Sequence, residues 1–384
     1  MNKVTLVLGI RPDVIRASKL IKILRQELGN NFELVWTGQH YSENLKDVFF
    51  EQLNVGFPEI ELGVVGSTDA ELVSSGIVKL YEHLSRSRPS VAIFLGDTNT
   101  VMTCIAAAQL NIPIIHIEGC MRSFDWRMPE EKYRTVIDHL ADHIFAYTEN
   151  YKMNGLNEGI PEERIHVVGN PIVDVLDDFV NTPIFKKNSE ETLKERNLVK
   201  GNFFLATTHR RENIESRDYL SNIFKLFGAA PLPVVIPLGY RTQRLITEYK
   251  LEVPDNVKIE EPIDYKSFLA LTLFSKGVIT DSGTVVEEAC ILGIPSIQMR
   301  HSTERPEVYD VGASVKFDPV RDYDYQEIYK KLSKLHDRSW TQPFGDGHAS
   351  EKMAYKILQL LNSSLLENHQ PNMNSIGAKR AFRS

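Results

Sequence analysis

Short β-branched apolar runs, each followed by a turn and a longer amphipathic stretch, recur along the whole of this 384-residue chain. The first series is Val4–Leu8, Leu34–Thr37, Val91–Leu95, Ile114–Ile117 and Ile144–Ala146. After Pro12, which suits a helix's first turn, Val14, Ile15, Leu20, Ile21 and Leu24 follow at helical spacing. Such alternation predicts parallel strands covered by helices, an α/β architecture. The pattern pauses over Asn170–Lys200, which reads as helix, loop and helix. It restarts with Phe203–Ala206, Val234–Ile236, Val257–Ile259, Gly277–Thr280 and Pro295–Gln298. Two doubly wound domains are expected, one over 1–174 and one over 175–345. A helix within 346–363 is expected to cross back to the first domain. The stretch 364–384 lacks an apolar period and is expected to be a disordered tail.

A chain of this length exceeds the usual size of a single core, in keeping with two domains. Its net charge of -7 gives no general affinity for nucleic acid or an anionic membrane. Cys104, Cys120 and Cys290 are odd in number and lack metal or disulfide spacing, which fits a reduced cytoplasm. No run approaches the apolar length that spans a bilayer, and the first apolar run reads as a strand rather than a signal peptide.

Chemistry-bearing residues stand where these runs end. Asp97 in FLGDTNT, Glu118 in IIHIEGC and His209 in LATTHRREN each follow a strand-like segment. In an open parallel sheet the carboxyl ends of the strands border the ligand crevice. Acids and a base on both halves of the chain therefore point to proton transfer in an interdomain cleft. The first turn, LGIRPDVIR, has one glycine where a dinucleotide fingerprint needs three, which disfavours hydride transfer. Arg11 and Arg16 near that helix start are either phosphate partners or solvated side chains. In the second half, VITDSGTVVEEA runs from strand to turn to helix and sets Ser282, Gly283 and Thr284 where a pyrophosphate would find N–H donors and hydroxyls. Of Glu287 and Glu288, one complements the helix dipole and the other is free to accept from ribose hydroxyls. Arg305, before Pro306, is placed to neutralise a phosphate. Together these features favour a nucleotide diphosphate ligand.

The motifs GIRPD, TGQH, GDTNT, HIEG followed by RMPEE, TTHRREN, TDSGTVVEEA and STERPE occur in the order found in non-hydrolysing UDP-N-acetylglucosamine 2-epimerases. The chain resembles that family from Val4 to about Leu361. The resemblance implies a glycosyltransferase-B-like pair of Rossmann-like domains, the second binding UDP, with the active site between them. It implies interconversion of UDP-GlcNAc and UDP-ManNAc, by elimination of UDP and re-addition through 2-acetamidoglucal, in a cytoplasmic homodimer that needs neither cofactor nor metal. By the same resemblance Asp97, Glu118, Glu130 and His209 are catalytic. Asp97 and Glu130 would transfer protons at C2, Glu118 would support them, and His209 would assist departure and return of UDP. Arg11, Ser282, Gly283, Thr284 and Arg305 would hold the diphosphate, Glu288 the ribose and Phe268 the uracil. Glu131 is assigned a supporting role, His116 and His139 match no catalytic position, and His348 lies in a recurring motif of unassigned chemistry.

The segment between Glu118 and Glu130 is shorter than in well-known UDP-GlcNAc members. It looks like relatives acting on modified UDP-2-acetamido sugars, such as diacetamido uronic acids or 6-deoxy-L-sugars. Tyr133 replaces the family's Asn, Gly283-Thr284 its paired glycines, and Gly169-Asn170-Pro171 its GNT. Gly239 stands where members regulated by a second UDP-GlcNAc carry histidine, and Tyr41-Ser42-Glu43 replaces the usual sequence although Gln39 remains, which argues against allosteric activation. A glycosyltransferase on the same architecture would not explain several acids accompanying His209. A hydrolysing epimerase is a further alternative, although the GIRPD turn resembles the non-hydrolysing branch, and a non-catalytic nucleotide-sugar sensor is disfavoured because Asp97, Glu118, Glu130 and His209 are all retained. Replacement of Asp97 by alanine is expected to abolish turnover, and full turnover by that variant would remove the proton-transfer scheme.

Overall fold

The computed structural model describes residues 2–38, 50–51 and 53–363. Gln39, Tyr41-Ser42-Glu43 and the stretch 364–384, on which expectations above rest, lie outside the described residues. The chain divides into two compact units: one runs to Val175 and resumes at Gly345, and the other spans Leu176–Phe344.

The first unit is built on seven parallel strands: β1 (Val4–Leu8), β2 (Phe32–Trp36), β3 (Ile60–Glu61), β4 (Val91–Leu95), β5 (Ile114–Ile117), β6 (His143–Ala146) and β7 (Ile165–Val167), in the order β3-β2-β1-β4-β5-β6-β7. β1, β2, β4, β5 and β6 are buried along their whole length, so they read as near-continuous apolar runs rather than as alternation. Val4 lies opposite both Phe32 and Val91, which fixes the register at the centre of the sheet. The helix Arg11–Leu28 starts with Pro12 in its first turn and turns Val14, Leu20, Ile21 and Leu24 into the core.

The second unit repeats the plan with β8 (Phe204–Thr207), β9 (Val234–Pro237), β10 (Val257–Glu260), β11 (Gly277–Thr280), β12 (Ser296–Met299) and β13 (Ser314–Phe317), ordered β10-β9-β8-β11-β12-β13. Phe204, Ile236, Ile279 and Ile297 pack there against Phe224, Phe227 and Leu332 from covering helices. In each sheet the strand order reverses once, at β1/β4 and at β8/β11, and such points leave a crevice beyond the strand ends. Every strand expected from the apolar runs is present to within a residue or two. The sequence reading omits β3, β7 and β13, which are edge strands of two to four residues, partly exposed and without an apolar run.

Asn170–Lys200 forms the helices Pro171–Val180 and Pro183–Glu195, parted by a two-residue break. The helix Ala349–Leu361 packs on Arg11–Leu28, burying Met353, Ile357 and Leu360, with Lys19 and Glu351 paired at 2.9 Å. Its first turn is capped from a distance in sequence. Fully buried Asp174 accepts the N–H groups of Ala349 at 3.0 Å and Ser350 at 2.7 Å. None of the described helices is long and apolar enough to cross a membrane. Asp174→Ala strands both buried donors and is expected to lower stability by roughly 2–3 kcal/mol in equilibrium urea unfolding; an unchanged midpoint would show that the cap is dispensable.

Candidate active site

In the first unit the site residues hang from the ends of β1, β4 and β5. Asp97 follows β4, and its side chain is 22% exposed while paired with the buried guanidinium of Arg134. Arg134 also donates to Glu131 at 2.8 Å, one turn earlier on the helix Pro129–Leu140. The buried Glu131 carboxylate takes three further donors from the preceding loop: Ser123 N at 3.0 Å, Ser123 Oγ at 2.9 Å and Phe124 N at 2.8 Å. Glu131 is therefore a buttress, in the supporting role expected of it. Glu130, in the first turn of the same helix, is partly exposed and has no ion pair among the described residues.

Glu118 follows β5 with φ of 74°, and its buried carboxylate is ion-paired with Arg16. The same guanidinium donates to Asp13 at 2.8 Å. Arg16 is thus neither a free phosphate partner nor solvated, which overturns both sequence readings of it: it lies on the buried face of its helix, which carries the side chain inward to meet two acids. Burial, only partly opposed by Arg16, pushes the Asp13 carboxyl up to about 7, and the charges of Glu118 and Asp97 push the same way. Gly96, at φ of 86°, lies directly against this group. A Cβ there would come within 3.2 Å of Arg16 Nη2 and 3.4 Å of Asp13 Oδ1.

A second buried cluster holds the turn after β5. Fully buried His116 places Nδ1 2.6 Å from Asp138 and Nε2 2.8 Å from the Gly96 carbonyl. Asp138 also accepts Cys120 N at 3.0 Å and Arg122 Nη1 at 2.7 Å. Burial alone would raise the Asp138 carboxyl, but His116 and Arg122 hold it below the ordinary range. His116 is thus a packed residue, as expected, and it steadies the carbonyl immediately before Asp97. Cys120 and Phe124 join Glu118 in having positive φ, so this segment concentrates backbone strain beside the carboxylates. Phe124 and Trp126 project from it, 76% and 62% exposed. All three cysteines are buried, and burial raises each thiol, which leaves none suited to nucleophilic work.

In the second unit His209 follows β8 with its side chain 59% exposed and Nδ1 3.3 Å from Asp281. Fully buried Asp281, at the end of β11, also accepts Thr208 Oγ1, His209 N and Arg210 N, each at 3.0 Å, and Asn213 Nδ2 at 3.2 Å. One carboxylate thus shapes the turn and lies beside Nδ1 of the ring. Ser282 caps the helix Gly283–Ile291, its hydroxyl accepting from Val285 N, while Ser282 and Thr284 remain partly exposed. A side chain built on Gly283 would lie 3.8 Å from Arg305 Cζ, so Arg305 sits at this helix start. It is buried and pairs with Glu287 at 2.5 Å, and neighbouring Glu304 pairs with Arg300 at 2.8 Å. Glu288 accepts the Tyr265 hydroxyl at 2.7 Å. Phe268, one turn beyond Tyr265, is partly buried against Leu193, Phe203 and Leu271.

Asp97, Glu118 and Glu130 are thus gathered in the first unit. His209, Ser282, Gly283, Thr284, Glu288, Phe268 and Arg305 belong to the second, and Arg11, partly exposed at its helix start, belongs to the first. The sequence reading passed over Asp13, Arg134 and Asp281, although all three lie within or beside quoted motifs. Asp281 stands inside TDSGTVVEEA, and Arg134 follows Glu130 at the i,i+4 spacing of one helix face. Exposed His348 lies 3.7 Å from Glu351, and Gly239 starts a helix with open space around its α-carbon. No group of three or more His, Cys, Asp or Glu side chains among the described residues is arranged to hold a metal ion.

The family model described as UDP-N-acetylglucosamine 2-epimerase matches residues 22–358. The chain is 36% identical over 361 residues to the UDP-N-acetylglucosamine 2-epimerase of Methanocaldococcus jannaschii, covering 91% of this chain and 97% of that one. It is 31% identical over 363 residues to the UDP-2,3-diacetamido-2,3-dideoxy-D-glucuronate 2-epimerase of Pseudomonas aeruginosa, covering 93% and 100%. Among solved structures, the M. jannaschii UDP-GlcNAc 2-epimerase in complex with UDP-GlcNAc and UDP superposes with a TM-score of 0.82 at 34% identity, covering 93% of this chain and 99% of that one.

Asp281→Asn would turn an amide NH2 toward a cluster of N–H and O–H donors. It is expected to destabilise the protein by roughly 2–4 kcal/mol and to release the ring of His209. Urea unfolding with the stability of the unaltered protein would remove Asp281 from this role.

Proposed function

The chain belongs to the UDP-N-acetylglucosamine 2-epimerase family, and from that premise we propose that it interconverts UDP-GlcNAc and UDP-ManNAc by eliminating and re-adding UDP. The enzyme is a UDP-sugar 2-epimerase, an isomerase. The C2 proton of a 2-acetamido sugar is hardly acidic, so a simple carbanion route is unattractive. Removing that proton while the C1–O bond breaks sends the electron pair out with UDP and leaves 2-acetamidoglucal. Returning a UDP oxygen to C1 and a proton to the opposite face of C2 completes the inversion. Acid and base groups must therefore serve both faces of C2, and the leaving diphosphate needs positive charge or donors.

The observation that carries this reading is the placement of Asp97 and Glu118 at the ends of neighbouring strands, each paired with an arginine, Arg134 and Arg16. In this scheme Asp97 and Glu130 exchange protons at C2 with Glu118 in support. His209, oriented by Asp281, protonates and deprotonates the UDP oxygen. Arg11, Ser282, Gly283, Thr284 and Arg305 bind the diphosphate, Glu288 the ribose and Phe268 the uracil. No step calls for a cofactor. A cytoplasmic homodimer is part of the same reading and rests on the family resemblance alone.

A second reading, epimerisation of a UDP-2,3-diacetamido uronic acid, is favoured by the short segment between Glu118 and Glu130. The Pseudomonas relative that bears such a name is 31% identical over nearly all of both chains. Proton NMR in deuterated water distinguishes the readings. With UDP-GlcNAc, the C2 proton signal is expected to disappear as UDP-ManNAc grows. Free ManNAc with UDP would instead indicate hydrolysis, and exchange confined to the diacetamido uronate would establish the second reading.

A further inference from the structure

Glu287 and Glu288 are neighbours on the helix Gly283–Ile291 and both are buried, yet they face different groups. Glu287 is turned to Arg305, at 2.5 Å. Glu288 accepts the hydroxyl of Tyr265 on Oε1 at 2.7 Å. Burial and the charge of Glu288 raise that hydroxyl well above its usual range, so it keeps its proton and donates. A carboxylate accepts at about four lone-pair positions, so one such hydroxyl orients it without using up its capacity. Tyr265 is itself held. It opens the helix Tyr265–Phe274, whose start Asp264 fixes by accepting Lys266 N at 3.0 Å, Ser267 N at 3.1 Å and Ser267 Oγ at 2.6 Å. The tyrosine ring meets Phe179 edge-on, with centroids 6.3 Å apart and planes at 89°. Phe268 follows Tyr265 at i+3, so one helix carries the aromatic proposed for uracil and the tyrosine that meets the acid proposed for ribose. All of these residues belong to the second unit.

We propose that Tyr265 is a positioning residue for nucleotide recognition: its hydroxyl holds the Glu288 carboxylate in the orientation that accepts from the ribose hydroxyls. The second unit is thereby selective for a ribonucleotide over one that lacks those hydroxyls. A carboxylate fixed in advance spares the ligand the cost of ordering it, so the hydrogen bond inside the protein appears as affinity for the ligand. The inference rests on the UDP-sugar reading, because that reading assigns Glu288 to the ribose.

The test measures, by titration calorimetry on the full chain, the affinity for UDP and for 2′,3′-dideoxyuridine diphosphate, which lacks both ribose hydroxyls. The wild type is expected to bind UDP more tightly by about tenfold or more. In Tyr265→Phe the affinity for UDP should fall roughly tenfold while that for the dideoxy ligand changes by less than about twofold, so the ratio between them nearly vanishes. KM for the UDP-sugar should rise by a similar factor with kcat within about twofold. A ratio equal to that of the wild type overturns the proposal, whatever the absolute loss, because structural damage alone weakens both ligands alike.

Glu288→Gln supplies an independent check. If Tyr265 acts through Glu288, the losses of UDP affinity in Tyr265→Phe and Glu288→Gln do not add in the double variant, and additive losses overturn the proposal. Should Tyr265→Phe fail to fold, Phe179→Leu takes its place: it removes the edge contact on the tyrosine ring, and an unchanged ratio again overturns the proposal. Equal affinity of the wild type for the two ligands would defeat the ribose assignment and this inference with it. Ribose discrimination without C2 exchange would defeat the epimerase reading and leave this inference standing.

Discussion

Everything in both units depends on a parallel sheet whose strand order reverses once. A parallel strand must return through a covering helix, so consecutive strands are laid down outward from a central pair. Where the order reverses, two neighbouring strands send their following turns to opposite faces and leave a gap. In the first unit that gap lies beyond β1 and β4, and the turns there deliver Arg11 and Asp13 on one side and Gly96-Asp97 on the other. In the second it lies beyond β8 and β11, and the turns deliver His209 and Asp281-Ser282. The polar clusters follow from this placement, because buried strand ends leave turn N–H groups that carboxylates alone can satisfy in number.

The buried acids answer that demand in different ways. Asp138, Asp174, Asp281 and Glu131 each gather two or more donors, and each fixes a turn or a helix start. Donors so placed leave such a carboxylate fewer lone pairs for chemistry. Asp97 and Glu118 each pair with a guanidinium, and Glu130 stands partly exposed. The first four acids thus hold backbone in place, and the other three are the acids proposed above for the chemistry. Adjacent Glu130 and Glu131, chemically identical, fall on opposite sides of that division because helical rotation turns only one toward the loop.

Much of this was legible in the residues themselves. Uninterrupted β-branched runs identify strands covered on both faces, so the central strands could be read almost to the residue. β7 and β13 could not, since Ile165–Val167 and Ser314–Phe317 lie at edges, where half the positions face water and no apolar run is required. Motif membership pointed to Asp97, Glu118 and His209, and the structure sets each at a strand end. The supports were hidden for a physical reason. Asp281 reaches back 72 residues to His209, and Arg16 reaches forward 102 to Glu118. Such pairings depend on which strands become neighbours, and composition or period carries no trace of that. A charged residue on the buried face of a helix, as Arg16 is, is nevertheless a signal that a buried partner exists.

The loop between Glu118 and Glu130 joins recognition to chemistry by one chain of contacts. Ser123 and Phe124 donate to Glu131, Glu131 receives Arg134, and Arg134 pairs with Asp97. Phe124 is held at positive φ by this arrangement, and its ring is displayed outward instead of packed. An insertion in the loop would displace the N–H groups on Glu131 and with them the arginine that sets the charge beside Asp97. A loop altered to admit a different sugar substituent must re-form the same hydrogen bonds, or the carboxylate one strand away loses the orientation of its counter-ion. In this chain the loop is anchored at Ser123 and Glu131 and exposes Phe124 and Trp126 at its tip.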